Sequence, residues 1–229
     1  TLEDAKAALE RLKVPIAGFP FVAERDRAVA VAMILTALIR KSLYTAPMFG
    51  FTAPKMGTGK SLLSMVVVGM IATGSEVAPR NKPKTEEEAE KKYLSFLMSG
   101  APIVCIDNVD TAIQGENLCS ILTSDKWEGG RLLGKNETPK VSTRLTWSAT
   151  GNNLVFRKDI STRVLLCSLD AKCEHPEKRD FDIDLREWIP EHRKELVRDA
   201  LIILRAYHMA GRPKMEKKLE QFGRFEQWS

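Results

Sequence analysis

The chain has 229 residues, 44% hydrophobic and 28% charged, the balance of a globular domain that can bury its own core without staples. Its longest apolar runs, 28–35 and 62–72, fall short of the roughly 20 residues of a membrane span, and Glu3, Asp4 and Lys6 stand where a secretory leader would be apolar, so neither a membrane partner nor secretion is expected. A net charge of +5 suits a polyanionic partner and equally suits ordinary solvated lysine faces.

Residues 1–45 are expected to form an N-terminal helical segment, in which 24–43 reads as a helix apolar on most sides. A strand over 48–53 follows, then a glycine-rich stretch and a helix over 60–73. The polar residues 75–84 read as a surface loop, and Thr85 with Glu88 reads as a capping box opening a helix over 85–99. Buried strands are expected over 103–107, 144–150 and 164–170, with a helix over 116–124. Between 130 and 143, two short strand-like runs around a polar tip read as a β-hairpin. Finally, 191–209 carries apolar residues at 196, 200 and 203 and at 197, 201 and 204, the spacing of an amphipathic helix, with Pro190 suited to its start. Strands alternating with helices imply an α/β fold with a parallel sheet covered on both faces. The expected organisation is a helical segment at 1–45, a core at 46–172 and a small C-terminal helical subdomain at 173–229. With no Met at its start and no tidy stop at Ser229, the sequence reads as a domain cut from a longer polypeptide.

The four cysteines are 105, 119, 167 and 173; three lie among apolar neighbours and read as reduced core thiols of a cytosolic protein. Cys167, Cys173 and His175 are close in sequence, but no fourth ligand stands at a zinc-like spacing.

The segment Pro54-Lys55-Met56-Gly57-Thr58-Gly59-Lys60-Ser61 follows a strand and opens a helix. In that context glycines let backbone N–H groups close on phosphates, and the helix N-terminus adds its positive dipole end. Lys60 is expected to reach the β- and γ-phosphates of ATP, and the Ser61 hydroxyl to ligate Mg2+. The motif G-x-x-x-x-G-K-[ST] asks for Gly at 54; Pro54 keeps a rigid turn there, and Gly57 and Gly59 supply the flexibility. The strand 103–107 ends in Asp107, a carboxylate placed to hold the Mg2+ shell. The usual companion of such an Asp is a Glu that polarises the attacking water, but Asn108 stands there and cannot act as a base. Asp110 is the nearest carboxylate and the candidate base, with a helix cap or turn near Thr111 as its competing role.

A third strand ends in Asn152-Asn153; Asn152 is the candidate to orient the lytic water, and a turn Asn the plainer alternative. Arg163 precedes the fourth strand and is the candidate to reach a neighbour's γ-phosphate, with Arg157 as runner-up and a solvated strand-start Arg as the other reading. At the hairpin, Lys135 and Lys140 are candidate phosphate contacts to DNA, or ordinary exposed lysines. No aromatics are interleaved there, so sequence-specific readout is not indicated.

With these features in this order over 45–170, the chain resembles the AAA+ ATPases, and most of all the superfamily 3-type helicase domains of phage and plasmid replication proteins, often fused to a primase. The resemblance implies a P-loop three-layer parallel sheet of AAA+ type, with ATP and Mg2+ as cofactors. It assigns Walker A to Lys60 and Ser61, Walker B to Asp107, sensor 1 to Asn152 and an arginine finger to Arg163. It further implies a homo-oligomeric ring, commonly a hexamer, translocating on single-stranded DNA with the hairpin in its pore, in a bacterial cytoplasm. Pro54 and Asn108 depart from the pattern, and Arg205 and Arg212 stand as sensor 2 guesses without a motif. The alternative function is an ATP-gated switch or loader that assembles on DNA without unwinding it.

Overall fold

The computed structural model describes residues 1–129, 139–179, 181–213, 225 and 227–229. Helix α1 (Leu2–Lys13) starts under the Thr1 hydroxyl, which accepts from the Asp4 N–H, and turns Ala5, Ala8 and Leu12 inward. Helix α2 (Glu24–Ile39) is tied down at its start by Asp26. That buried carboxylate accepts from the N–H of Ala23 at 2.9 Å and of Ser168 at 2.8 Å, linking the helix to the far edge of the sheet.

Strand β1 (Met48–Ala53) runs into the glycine-rich loop, and the helix beyond it opens as a π-helical stretch over Leu62–Val67 before continuing as α3 (Val68–Thr73). Gly74, at φ 85°, ends it in the left-handed conformation that only Gly adopts cheaply. Inside the π stretch Ser64 is fully buried, its hydroxyl 2.9 Å from that of Ser148 and 3.6 Å from the Cys105 sulfur. These small polar side chains let the helix behind the loop lie close against two strands.

The stretch expected as a loop contains a two-residue strand, β2 (Pro79–Arg80), paired in parallel with Cys105 and Ile106. So short a strand, with a Pro, carries no readable alternation. Helix α4 (Glu86–Met98) is capped by Thr85 as expected, though Glu88 reaches back to the N–H of Lys84 rather than that of Thr85. Strand β3 (Ile103–Ile106), helix α5 (Glu116–Thr123) and the antiparallel pair β4 (Lys126–Glu128) and β5 (Lys140–Ser142) follow. The hairpin thus starts earlier in sequence than expected, and its tip lies outside the described residues. Strand β6 (Thr146–Asn152), 3-10 turns at Lys158–Arg163 and Pro176–Lys178, β7 (Val164–Ser168) and α6 (Leu185–Met209) are the later elements among the described residues.

Five strands form one sheet in the order β2-β3-β6-β1-β7, and every pairing is parallel. Alternating side chains therefore feed two separate cores. Phe49 and Phe51 join a cluster with residues of α1, α2, α3 and α6, while Val104, Ile106, Trp147 and Ala149 join one with α4 and α5. Tyr93 of α4 meets Trp147 edge-on, with ring centroids 5.6 Å apart. The chain is thus α/β, with the parallel sheet covered on both faces. Among the described residues no helix is long and apolar enough to cross a membrane.

Helix α6 begins at Leu185 instead of 191, and Pro190 lies inside it. The start is set by Asp184, whose carboxylate accepts from the Arg186 N–H, and the extra turn buries Ile189 completely; these outweigh the one backbone hydrogen bond that Pro190 cannot donate. Leu196 and Ala200 enter the same cluster as Phe49, and the buried Asp199 accepts both hydrogen bonds of the Arg11 fork, at 2.7 and 2.8 Å. Trp228 also returns to this core, its indole N–H donating to Thr36 at 2.7 Å.

Arg40, 3% exposed, donates to the carbonyls of Leu43, Leu145 and Thr143, fastening the end of α2 to the start of β6. Burial, with Arg144 nearby, pulls its pKa down to about 10, so it stays charged at neutral pH.

Gly50 is required at the middle of β1, because a Cβ there would meet the Phe156 ring at 2.8 Å. Gly50→Ala is expected to cost about 1–3 kcal/mol, the usual penalty of overpacking. The smaller Phe156→Leu should return part of that loss in the double variant, read from urea denaturation midpoints; strict additivity would mean the ring does not set the constraint.

Candidate functional site

Strands β1, β6 and β3 lie side by side and run the same way, so their C-terminal ends share one edge. Ala53 is level with Asn152, and Ile106 with Ala149, which leaves Asp107 level with Thr150. The sheet order thus sets Asn152 between the glycine-rich loop and Asp107.

The loop turns on Gly57 at φ 75° and Gly59 at φ 93°, conformations that a side chain makes costly. Close neighbours add a second reason. A Cβ on Gly59 would lie 2.9 Å from the Phe19 ring, and one on Gly57 would lie 3.0 Å from a Glu177 carboxylate oxygen. Phe19 and the turn Pro176–Lys178 therefore border the loop on the outside. Helical hydrogen bonding starts with Leu63 N–H to Gly59 carbonyl at 2.8 Å, so the N–H groups of the first turn have no helical acceptor of their own. Pro54, Lys55 and Met56 are exposed at the entrance, with the Lys55 ammonium 3.4 Å from the Cys173 carbonyl.

Lys60 is 9% exposed and donates to Asn152 Oδ1 at 2.8 Å, the Lys55 carbonyl at 3.1 Å and Thr58 Oγ1 at 3.2 Å. All three acceptors are neutral. Burial lowers the Lys60 pKa, and the charge of Asp107 works against that shift. A partly desolvated ammonium among neutral acceptors is a good receptor for an anion, whose charge would compensate the burial.

Asp107 Oδ1 accepts two hydroxyls, those of Ser61 and Thr150, each at 2.6 Å. Its second oxygen accepts no hydrogen bond among the described residues. A hydroxyl beside a carboxylate, at the mouth of a glycine-rich loop, is the oxygen donor set that suits Mg2+, which keeps its waters and takes one or two protein oxygens plus phosphates. Among the described residues there is no cluster of three or more His, Cys, Asp or Glu to cage a metal otherwise.

Asn108 follows Asp107 at φ 52°, and its N–H donates to Thr150 Oγ1 at 3.1 Å. The left-handed region is far easier for Asn than for Glu, which gives Asn108 a backbone reason to be there. Asp110 is exposed in the link from β3 to α5 and makes no hydrogen bond to Lys60, Ser61 or Asp107 among the described residues. No helix starts beside it, since α5 is preceded by Gly115, so its capping role is not realised.

The remaining candidates lie elsewhere. Arg163 stands at the N-terminal end of β7, the opposite edge of the sheet, roughly 17 Å away by the length of five extended residues. Its side chain is 12% exposed, and its guanidinium donates to the Asp159 carbonyl at 2.8 Å and lies by Cys119. Arg157 is exposed nearby. Lys140 is ion-paired with Glu128 across the hairpin, and Lys135 lies outside the described residues. Arg205 is on the outer face of α6, and Arg212 bonds His208; neither touches the loop. Thr150 is the residue that sequence reasoning missed. A Thr inside a strand looks like an ordinary β-former, and only the pairing register puts it opposite Asp107.

No protein-family model matches the chain, and no curated protein does. Among solved structures it is similar to the apo A form of the NrS-1 C-terminal region, at 12% identity and a TM-score of 0.47, covering 99% of this chain and 51% of that one. It is also similar to the JCV helicase, at 14% identity and a TM-score of 0.35, covering 99% of this chain and 65% of that one. The chain spans about half of the first and under two thirds of the second.

The lowered pKa of Lys60 has a consequence for stability. Just below pH 10.5 the unfolded chain still holds this proton while the folded chain releases it, so the stability contribution of Lys60 rises as pH climbs through that window. Lys60→Met drops the buried charge and keeps the length. At neutral pH it is expected to be at least as stable as wild type, the gap narrowing towards pH 10.5, by urea denaturation at neutral and alkaline pH. A loss above about 1 kcal/mol at neutral pH would mean that the Lys60 hydrogen bonds outweigh its desolvation.

Proposed function

We propose that this chain binds Mg2+-ATP on the loop 54–61 and hydrolyses it to drive movement on DNA, as a superfamily 3-like AAA+ helicase module. The observation that carries the reading is the convergence of Lys60, Ser61, Asp107 and Asn152 at one sheet edge, joined by hydrogen bonds of 2.6 and 2.8 Å.

The chemistry assigned to each follows from its donors. The ammonium of Lys60 carries three protons now shared among neutral oxygens, and phosphate oxygens would replace those acceptors with charged ones. Ser61 has one proton, held by Asp107, and lone pairs left for a cation. Mg2+, when bound, would neutralise charge on the β- and γ-phosphates. Once Lys60 turns to phosphate, the Asn152 amide is free to orient the attacking water. Asp110 is the proposed base, which requires the link from β3 to α5 to move inward. Arg163 lies too far from its own Lys60 to act there, so its proposed role is on a neighbour's ATP in a homo-oligomeric ring, commonly a hexamer as the resemblance implies. Lys135 and Lys140 are the proposed DNA contacts, to single strands without sequence preference.

A second reading, an ATP-gated switch or loader, is favoured by Asn108, which occupies the expected place of a base with a side chain that cannot accept a proton.

ATP turnover with and without single-stranded DNA, measured alongside oligomer mass, separates the two. The motor reading expects DNA to stimulate turnover and Lys60→Ala to reduce it by about 10²-fold or more, the scale of losing one preorganised charge contact. Binding without turnover would support the switch, and no nucleotide binding would sink both. For Arg163, mixing Arg163→Ala with Lys60→Ala subunits should restore part of the activity that each lacks alone, because some interfaces then pair an intact Lys60 with an intact Arg163. No recovery in stable mixed assemblies removes the in-trans role.

A further inference from the structure

We propose that Thr150 is a positioning residue of the metal site, a reading that rests on the Mg2+-ATP assignment above. Its hydroxyl, on the middle strand β6, fixes both the Asp107 carboxylate and the backbone turn that follows it. Thr150 is 1% exposed, and its hydroxyl is used in both directions: it donates to Asp107 Oδ1 at 2.6 Å and accepts from the Asn108 N–H at 3.1 Å.

The carboxylate is what makes this matter. A carboxylate held by Ser61 alone can swing about its Cβ–Cγ bond, and Ser61 is itself the hydroxyl assigned to the cation. Thr150 supplies a second donor from a different element, so Oδ1 is filled from two sides and Oδ2 is the oxygen left for the hydration shell of a cation. The same hydroxyl holds Asn108 in its left-handed conformation. The Val109 N–H donates to the Thr150 carbonyl at 2.8 Å, so the chain after β3 is fastened to Thr150 twice. The adjoining residue repeats the constraint: a Cβ on Gly151 would lie 2.4 Å from the Val109 carbonyl oxygen. Strand β6 is therefore drawn tight against residues 107–109, and among the described residues Thr150 is the one side chain that bonds the Asp107 carboxylate from the sheet.

Thr150→Val keeps the shape and removes the hydroxyl; Thr150→Ser keeps the hydroxyl and removes the methyl. The probe is a fluorescent ATP analogue, titrated first in EDTA and then with increasing Mg2+. Thr150→Val is expected to bind the analogue in EDTA within about two-fold of wild type, yet to need about ten-fold more Mg2+ for half-maximal tightening, the usual effect of losing a residue that orients a metal's ligand. Thr150→Ser should need the wild-type Mg2+ concentration. An unchanged Mg2+ requirement in a folded Thr150→Val protein overturns the proposal, as does an equal loss of binding in EDTA, which would mark a packing role. If Thr150→Val and Thr150→Ala both fail to fold while Thr150→Ser folds, the hydroxyl serves the core alone and the proposal is likewise overturned. A wild-type protein that binds no analogue, or binds it without regard to Mg2+, refutes the Mg2+-ATP reading itself and is distinguishable from all of these.

Discussion

Asp107 Oδ1 accepts hydrogen bonds from two hydroxyls that arrive on different elements, Ser61 at the start of the helix behind the glycine-rich loop and Thr150 on β6. Through this one oxygen, β3, β6 and the loop following β1 are fastened at a single edge. The Lys60 to Asn152 hydrogen bond makes a second tie between the same loop and the same strand. Without the parallel registers that set Ala53 beside Asn152 and Ile106 beside Ala149, these contacts would not form. The site is therefore a property of three neighbouring strands ending together, and the loop is one contributor to it.

The loop itself depends on what lies outside it. Phe19 and Glu177 crowd any side chain at positions 59 and 57, so each position calls for Gly on grounds of space as well as positive φ, with the neighbours coming from both ends of the chain. Residues near Phe19 and the turn at 176–178 are thus coupled to loop geometry, although neither belongs to a phosphate motif. On the inner side, Ser64, Ser148 and Cys105 bring the following helix down onto the sheet, which fixes where its N-terminus points. Rigidity around the glycine-rich loop limits the reorganisation that binding a ligand there would demand.

Much of this was legible in the sequence because the signals were local. Strand 48–53 coincides with β1, and the strand expected over 103–107 matches β3 up to Ile106, because continuous apolar stretches mark strands buried on both faces. Gly57, Gly59, Lys60 and Ser61 were readable since a strand, a tight turn and a helix start follow one another without a gap. What escaped was non-local. Strand β2 has two residues and is defined only by its partner β3. Pro190 suggested a helix start, whereas burial of Ile189 extends the helix through it. Thr150 has no sequence signature, for its meaning lies in the residue opposite it on another strand.

Arg163 sharpens the physical argument for a composite site. Parallel strands carry the residue before β7 to the edge opposite Lys60, and there the guanidinium folds onto Asp159 of its own turn. An ATP bound at the loop would face Lys60 as its buried cation among the described residues, with Asn108 beside the carboxylate where a base is usually found. A γ-phosphate gathering charge towards transfer needs more positive charge than one ammonium and one metal ion supply. On the proposed reading that charge comes from the far edge of another copy, which would require Arg163 to leave Asp159 as the copies meet. Arg163 would exchange the Asp159 carbonyl and carboxylate for phosphate oxygens, so assembly would gate turnover through the position of Arg163 while the Lys60 edge stays as it is.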